Sequence, residues 1–387
     1  MTLAAASVPV SSTSYKPRLL PGLEGLRAVA AFGVILTHVA FQTGVDPASP
    51  VGSVLARFDF FVPVFFALSA FLLWRRHRTD RRFPTITRYL LNRAGRILPA
   101  YLGCVIAVIL LLPEAARMSG EQIVANLTLT QVYRVDGLAP GLTHLWSLSV
   151  EVGFYLVLPL LALTAGRLPG RGRIGVILGL AVLSLGWAFL PWVVAGPDAE
   201  AGIPNRQIWP PAYTAWFAVG LLAAELEGRV PAPVRRALRF RWVWWLLALV
   251  TAWVAGQEWY GPLGLTHPEP AEFARRVLAG TVFAAAVVVP EAWDPGAPGG
   301  RWLAHPVMQA LGRWSYSVFL WHVAMLSLAF PLLGLDYFSG GFWPVLLVTL
   351  GLTLPVAVAG FVFLEDPGKR LVRAATSRIA RTGESPA

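Results

Sequence analysis

Cysteine is almost missing: Cys104 is the only one in 387 residues. That excludes an intrachain disulfide framework and any cysteine-based zinc site. Charge is scarce too. Only 14% of residues are charged, against about 25% in an ordinary soluble domain. With 56% hydrophobic residues and a mean hydropathy of +0.60, the composition excludes a disordered chain and argues against a soluble globule. Only two of the 32 basic residues, Lys16 and Lys369, are lysine; nothing follows from that. Metal-ligand spacing, a nucleophile elbow and a phosphate loop are all missing. So are internal repeats, low-complexity segments and a soluble domain. The first apolar run begins near residue 23, already holds Glu24, Arg27 and His38, and lacks the small-residue cleavage pattern of a signal peptide. It reads as a retained first helix.

What remains is apolar helix. A crossing of the hydrocarbon takes about 20 apolar residues. Ten segments come close: 24–42, 57–74, 97–113, 145–165, 174–195, 210–226, 242–257, 274–290, 312–334 and 343–364. The segment 242–257 is short, and 274–290 begins on Arg275 and Arg276. The net charge of +11 invites a nucleic-acid partner, but the basic residues lie in short blocks between apolar runs, so none is expected. With the N-terminus placed inside, 25 of the 32 basic residues fall on the inner side and 6 outside. That is a strong positive-inside bias. The expectation is an all-α, multi-pass protein of a bacterial inner membrane, with about ten spans and both termini cytoplasmic. Residues 1–20 form a cytoplasmic segment, 21–367 the transmembrane domain, and 368–387 a basic tail, disordered or lying on anionic lipid. In the outer loop 114–144, Glu121 to Tyr133 is moderately apolar and reads as an amphipathic or re-entrant piece.

Ionisable groups within spans are costly, so each is a functional hypothesis. Arg27 and His38 are eleven residues apart, three turns plus about 20°, on one helix face and roughly 16 Å apart along the axis. Glu24 lies one turn from Arg27 and is placed to pair with it. The purely structural alternative is a snorkelling arginine and a core histidine bonded to a carbonyl. Glu151 enters from the outer side, two turns deep, at a depth that allows it to meet His38. A carboxylate there orients a histidine base or, structurally, pairs with an arginine or histidine between helices. Ser147 shares its face. Arg93 and Arg96, three apart, start the third span on the inner side. Two guanidiniums suit a phosphorylated ligand, or they are only a positive-inside flank. His322, after Ser315, Tyr316 and Ser317, is either a site wall or a satisfied core residue.

Taken in order, these motifs resemble those of the membrane acyltransferase-3 family of polytopic O-acyltransferases. Leu23-Glu24-Gly25-Leu26-Arg27-Ala28-Val29-Ala30 with His38 is similar to the family's LDGLRAxA opening and its histidine. The run from Phe65 to Leu73, with Ser69, resembles FFxLSGFLL; Arg93-Ala94-Gly95-Arg96 with Leu98-Pro99 resembles RxxR–LP. Residues from Trp146 to Tyr155, following His144, resemble WSLSxExxFY. Tyr316-Ser317, Trp321-His322 and Glu365-Asp366-Pro367 are similar to the closing elements. The likeness covers roughly residues 20–370. It departs at Glu24 and Pro63, where the family often has Asp, and at Ala70, where it has Gly; Asp59 is the nearby acid that would substitute. The extra C-terminal esterase-like domain of many members does not follow, so a stand-alone acyltransferase is expected.

The resemblance implies acyl transfer from cytoplasmic acyl-CoA, a donor substrate and not a bound cofactor, to a hydroxyl, usually on a sugar: an envelope glycan, a glycolipid or a macrolide-type glycoside. It implies that Arg27, Arg93 and Arg96 hold the donor phosphates, with the pantetheine arm threading toward His38. His38 would act as base with Glu151 orienting it or acting in its place. Ser147 and Ser149 would serve an acyl-relay variant. Glu24, Asp59, Ser69, His144, Trp146, Tyr316 and His322 complete the expected substrate site, with no metal. Two other classes fit the buried charges: a proton-coupled transporter or flippase, against which stand the missing inverted repeat and the arginine pair, and a structural membrane scaffold.

Overall fold

The computed structural model describes residues 20–78, 86–262 and 266–382, with side chains described to residue 376. Lys16 and Arg18 of the N-terminal segment, Arg81 and Arg82 of the basic loop, and the last residues of the tail lie outside the described residues. The protein is 80% helical, with no strand among the described residues.

The helices in chain order are α1 (Pro21–Gln42), α2 (Pro50–Ala56), α3 (Phe61–His77), α4 (Ile86–Leu111), α5 (Gly120–Leu127), α6 (Trp146–Leu163), α7 (Gly170–Leu185) and α8 (Pro191–Val194). Then come α9 (Thr214–Leu226), α10 (Ala232–Leu238), α11 (Arg241–Ala255), α12 (Pro270–Trp293), α13 (Pro306–Leu333), α14 (Phe342–Gly360) and α15 (Asp366–Thr382). Seven spans are long and apolar enough to cross a membrane among the described residues, where the sequence suggested about ten. The other three expected segments fall on α7, α9 and α11, of 16, 13 and 15 residues. A 13-residue helix rises only about 20 Å. Helix α11 is joined to α10 through a 70° bend, and that pair passes the same test as a broken span. Helix α12 carries Arg276 near its start, where one guanidinium nitrogen bonds the Pro262 carbonyl while the buried Nε has no partner among the described residues.

Side-chain pairings fix the helix directions. We call the end where α1 begins the lower end. Helices α1 and α13 run parallel: a Cβ on Gly312 would fall on the Glu24 carbonyl, and His38 meets His322 higher up. The α3/α9 pair is also parallel, with Phe66 stacked on Phe217 at 4.4 Å and Trp74 Nε1 donating to Glu225 below at 2.6 Å. Helix α7 is antiparallel to α9, through Ser184 at one end and Arg173 at the other. Helices α11 and α12 are antiparallel, pinned by the buried Arg241–Glu291 pair at 3.5 Å and by Tyr260 on the Arg275 carbonyl. The ten helices α1, α3, α4, α6, α7, α9, α11, α12, α13 and α14 therefore alternate in direction along the chain.

The loop 114–144 holds α5 and a short 3₁₀ turn, Gln131–Tyr133, within the expected apolar piece. The tail is helical over residues 366–382, in place of the disordered alternative, and continues α14 through a π-helical turn, Phe361–Glu365. Packing explains this. Gly95 and Gly103 of α4 leave room for Val372 and Leu364, and Gly368 faces Pro99.

Candidate active site

Two helices, α1 and α4, bring arginine to one cavity. Its wall includes Arg27 from α1, Ser69 from α3, Arg96 from α4, Ser147, Glu151 and Tyr155 from α6, and Tyr316 from α13. Water-sized molecules have about 60 Å³ for their centres there, room for a few waters. Among the described residues, Glu151 is the only carboxylate in this wall. Its Oε1 accepts from Ser69 Oγ at 2.5 Å and from Tyr155 OH at 2.6 Å. Arg93 lies beside the cavity, its guanidinium 5.8 Å from the Tyr155 ring centroid. Three guanidiniums thus face one carboxylate. The buried Nε groups of Arg27 and Arg93 have no hydrogen-bond partner among the described residues. Buried donors without partners are rare in folded proteins and call for an explanation. An anion bound between the arginines supplies one.

A second centre lies above the first. His38, His144 and His322 converge from α1, from the 3₁₀ turn Thr143–Leu145 leading into α6, and from α13. His322 and His144 are buried, whereas His38 is partly exposed. His322 Nε2 lies 3.0 Å from His38 Nδ1, and His322 Nδ1 lies 2.7 Å from the Phe319 carbonyl. A carbonyl only accepts, so His322 carries its proton on Nδ1. With both rings neutral, its Nε2 presents a lone pair and His38 Nδ1 donates to it. That leaves the lone pair of His38 on Nε2, the tautomer a general base needs. His144 Nε2 donates to the Leu320 carbonyl at 3.2 Å, and its buried Nδ1 is unpartnered among the described residues.

The structure gathers Arg27, Arg96, Ser69, Ser147, Glu151 and Tyr316 around the cavity and His38, His144 and His322 above it. Other expected residues fall elsewhere. Glu24 makes no ion pair with Arg27 within 4.0 Å among the described residues, and its backbone packs on Gly312. Asp59 is exposed at the upper end, 3.9 Å from Arg57. Trp146 packs on Tyr213 at 5.1 Å. Ser149 is buried with an unpartnered hydroxyl, outside the cavity wall. The partner of His38 is His322, not Glu151, because the Glu151 carboxylate is turned toward Ser69 and Tyr155. Tyr155 was not singled out as a site residue. Its signal was present: four residues after Glu151, it shares that face of α6.

A profile of the acyltransferase domain family matches residues 20–362. The chain belongs to this family. Similar proteins include a provisionally named O-acetyltransferase of Staphylococcus aureus strain COL, 24% identical across 92% of this chain and 59% of its own length. The O-acetyltransferase OatA of Staphylococcus aureus strain NCTC 8325 is 24% identical across 91% of this chain and 58% of its own length. This chain therefore spans under two thirds of the relatives it matches. No solved structure matches.

Proposed function

We propose that this acyltransferase-family protein transfers an acyl group, acetyl on the model of its relatives' names, from acyl-CoA to a hydroxyl of a sugar or glycosylated acceptor. One observation carries the reading: an arginine-lined cavity with unpartnered donors lies below a histidine whose tautomer is set for base catalysis. The phosphates of CoA sit among Arg27, Arg93 and Arg96, and the pantetheine arm runs upward beside α1. At His38 the acceptor O–H gives its proton to Nε2 as its oxygen attacks the thioester carbonyl carbon. The C–S bond breaks, and the departing sulfur takes that proton from His38. Atoms and charge balance with no external reagent. Partial exposure of His38 supports acceptor access from the upper side. The Ser69–Glu151–Tyr155 network holds α3 and α6 together around the cavity.

The membrane topology belongs to the same reading. The strict alternation of ten helix directions supports ten crossings of a bacterial inner membrane. The positive-inside bias supports cytoplasmic termini, and so a donor arriving from the cytoplasm at the lower end.

The test is acetyl-CoA binding and turnover by purified protein in nanodiscs. Losing two charge-assisted contacts at about 1.5–3 kcal/mol each predicts that Arg93→Ala/Arg96→Ala weakens binding at least about 100-fold. His38→Ala keeps binding and loses turnover. If wild type binds no CoA thioester, or both variants match it, the assignment fails.

A further inference from the structure

Among the described residues, no histidine lines the arginine cavity. Phe65 and Phe319 line the upper part of the cavity, with ring centroids 5.9 Å apart. The Phe319 ring also lies 5.1 Å from His144 and 5.7 Å from His322. Three helices give the same order from bottom to top. On α13 it is Tyr316, Phe319, His322; on α3, Ser69 lies below Phe65; on α6, Glu151 lies below Leu148, with His144 above. Residues three apart on α13 share a face and differ in height by about 4.5 Å. One layer of apolar side chains, with Phe319 at its centre, thus separates the anion-binding groups from the base.

We propose that Phe319, supported by Phe65, is the barrier through which the acyl-bearing arm of the donor must pass, and that it keeps water of the lower cavity away from His38. This rests on the acyl-CoA reading above. In the donor-free protein the rings close the layer. With donor bound, the arm occupies the gap and continues to exclude water. The barrier affects partition from below: water of the lower cavity does not compete with the acceptor hydroxyl for the thioester at His38. Hydrolysis would follow the same path with water as the nucleophile, giving the free acid and the CoA thiol.

Two measurements test this, one independent of the donor. First, His144→Cys is introduced with Cys104→Ala, so that a single cysteine lies above the layer. A membrane-impermeant methanethiosulfonate is applied from the side of the lower end in oriented vesicles. Adding Phe319→Ala, or Phe65→Ala as a second variant, is expected to speed labelling at least tenfold, and Phe319→Leu much less. Second, acceptor-free hydrolysis of acetyl-CoA is compared with acceptor-dependent transfer. Phe319→Ala is expected to raise the ratio of hydrolysis to transfer about tenfold, because water exclusion is what protects a reactive group in a closed site. Labelling rates that stay within twofold for both alanine variants overturn the barrier. So does an unchanged hydrolysis ratio in protein that still binds acetyl-CoA. Failure of wild type to bind acetyl-CoA instead overturns the donor reading, and the labelling result still decides whether the barrier exists.

Discussion

Removing the imidazole of His322 tests the tautomer argument at its centre. In the native arrangement its Nε2 accepts from His38 Nδ1 at 3.0 Å. One net neutral hydrogen bond is worth about 0.5–1.5 kcal/mol. At about 1.36 kcal/mol per tenfold, its loss lowers the ratio of the reactive His38 tautomer to the other by about 2–13-fold, the upper bound on the loss of reactive population. His322→Leu should therefore cost up to about that much in kcat, with little change in the KM for acetyl-CoA. His322→Gln can present an amide oxygen to His38 Nδ1, so it should recover much of the loss. His38→Ala removes the base itself and should cost about 10²–10⁴-fold. The assay is single-turnover release of CoA thiol from saturating acetyl-CoA and acceptor in nanodiscs. Melting curves check that each variant is folded. The reasoning is refuted if folded His322→Leu loses as much as His38→Ala, which would make His322 the base. It is equally refuted if His322→Gln is no better than His322→Leu.

Two further substitutions probe the frame that holds the site. Glu225, with its side chain fully buried, accepts from Trp74 Nε1 at 2.6 Å and Arg173 Nε at 2.8 Å; Glu225→Ala strands both donors. The expected cost is about 3–5 kcal/mol, read as a lower thermal midpoint, with Glu225→Gln in between; a midpoint equal to wild type would contradict the network. Gly220 lets α9 lie against α3, since a Cβ there would fall on the Ala67 carbonyl. Gly220→Ala should destabilise by about 1–3 kcal/mol through overpacking, visible as a lower midpoint in tryptophan fluorescence, while Gly175→Ala, which meets nothing within 4 Å, should leave it unchanged.

Much of this was legible in the chain because helix periodicity is local. The face shared by Arg27 and His38 and the shared face of Arg93 and Arg96, about two to three turns into α4, both follow from spacing along single helices. The partners were not legible. Depth counted along α6 allowed Glu151 to meet His38, yet in the structure Glu151 lies below Phe319 with Ser69 and Tyr155, and it is His322 that stands level with His38. Packing of α6 against α3 and of α13 against α1 decides this. The length of α15 was hidden for a similar reason. Its composition is basic and polar, but the glycines of α4 that admit Val372 and Leu364 lie more than 260 positions away in sequence. Glu24 and Asp59 were suggested by chemistry and family likeness. The structure puts one against a helix crossing and the other at the exposed upper end.

The separation of the two centres narrows what ligand can serve both. Along α1, Arg27 and His38 are about 16 Å apart; along α13, Tyr316 and His322 are about 9 Å apart. The lower centre offers guanidiniums, and the upper one a neutral base behind an apolar layer. A ligand engaging both needs an anionic head, a neutral arm of roughly that length and an electrophilic carbon at its far end. A CoA thioester has that form. A compact acyl phosphate does not: held by the arginines, its carbonyl would lie beside Ser69 and Glu151, below Phe319. For such a donor His38 could be replaced without loss while Ser69→Ala abolished transfer. The opposite pattern, turnover lost with His38 and retained with Ser69→Ala, is what the two-centre arrangement requires.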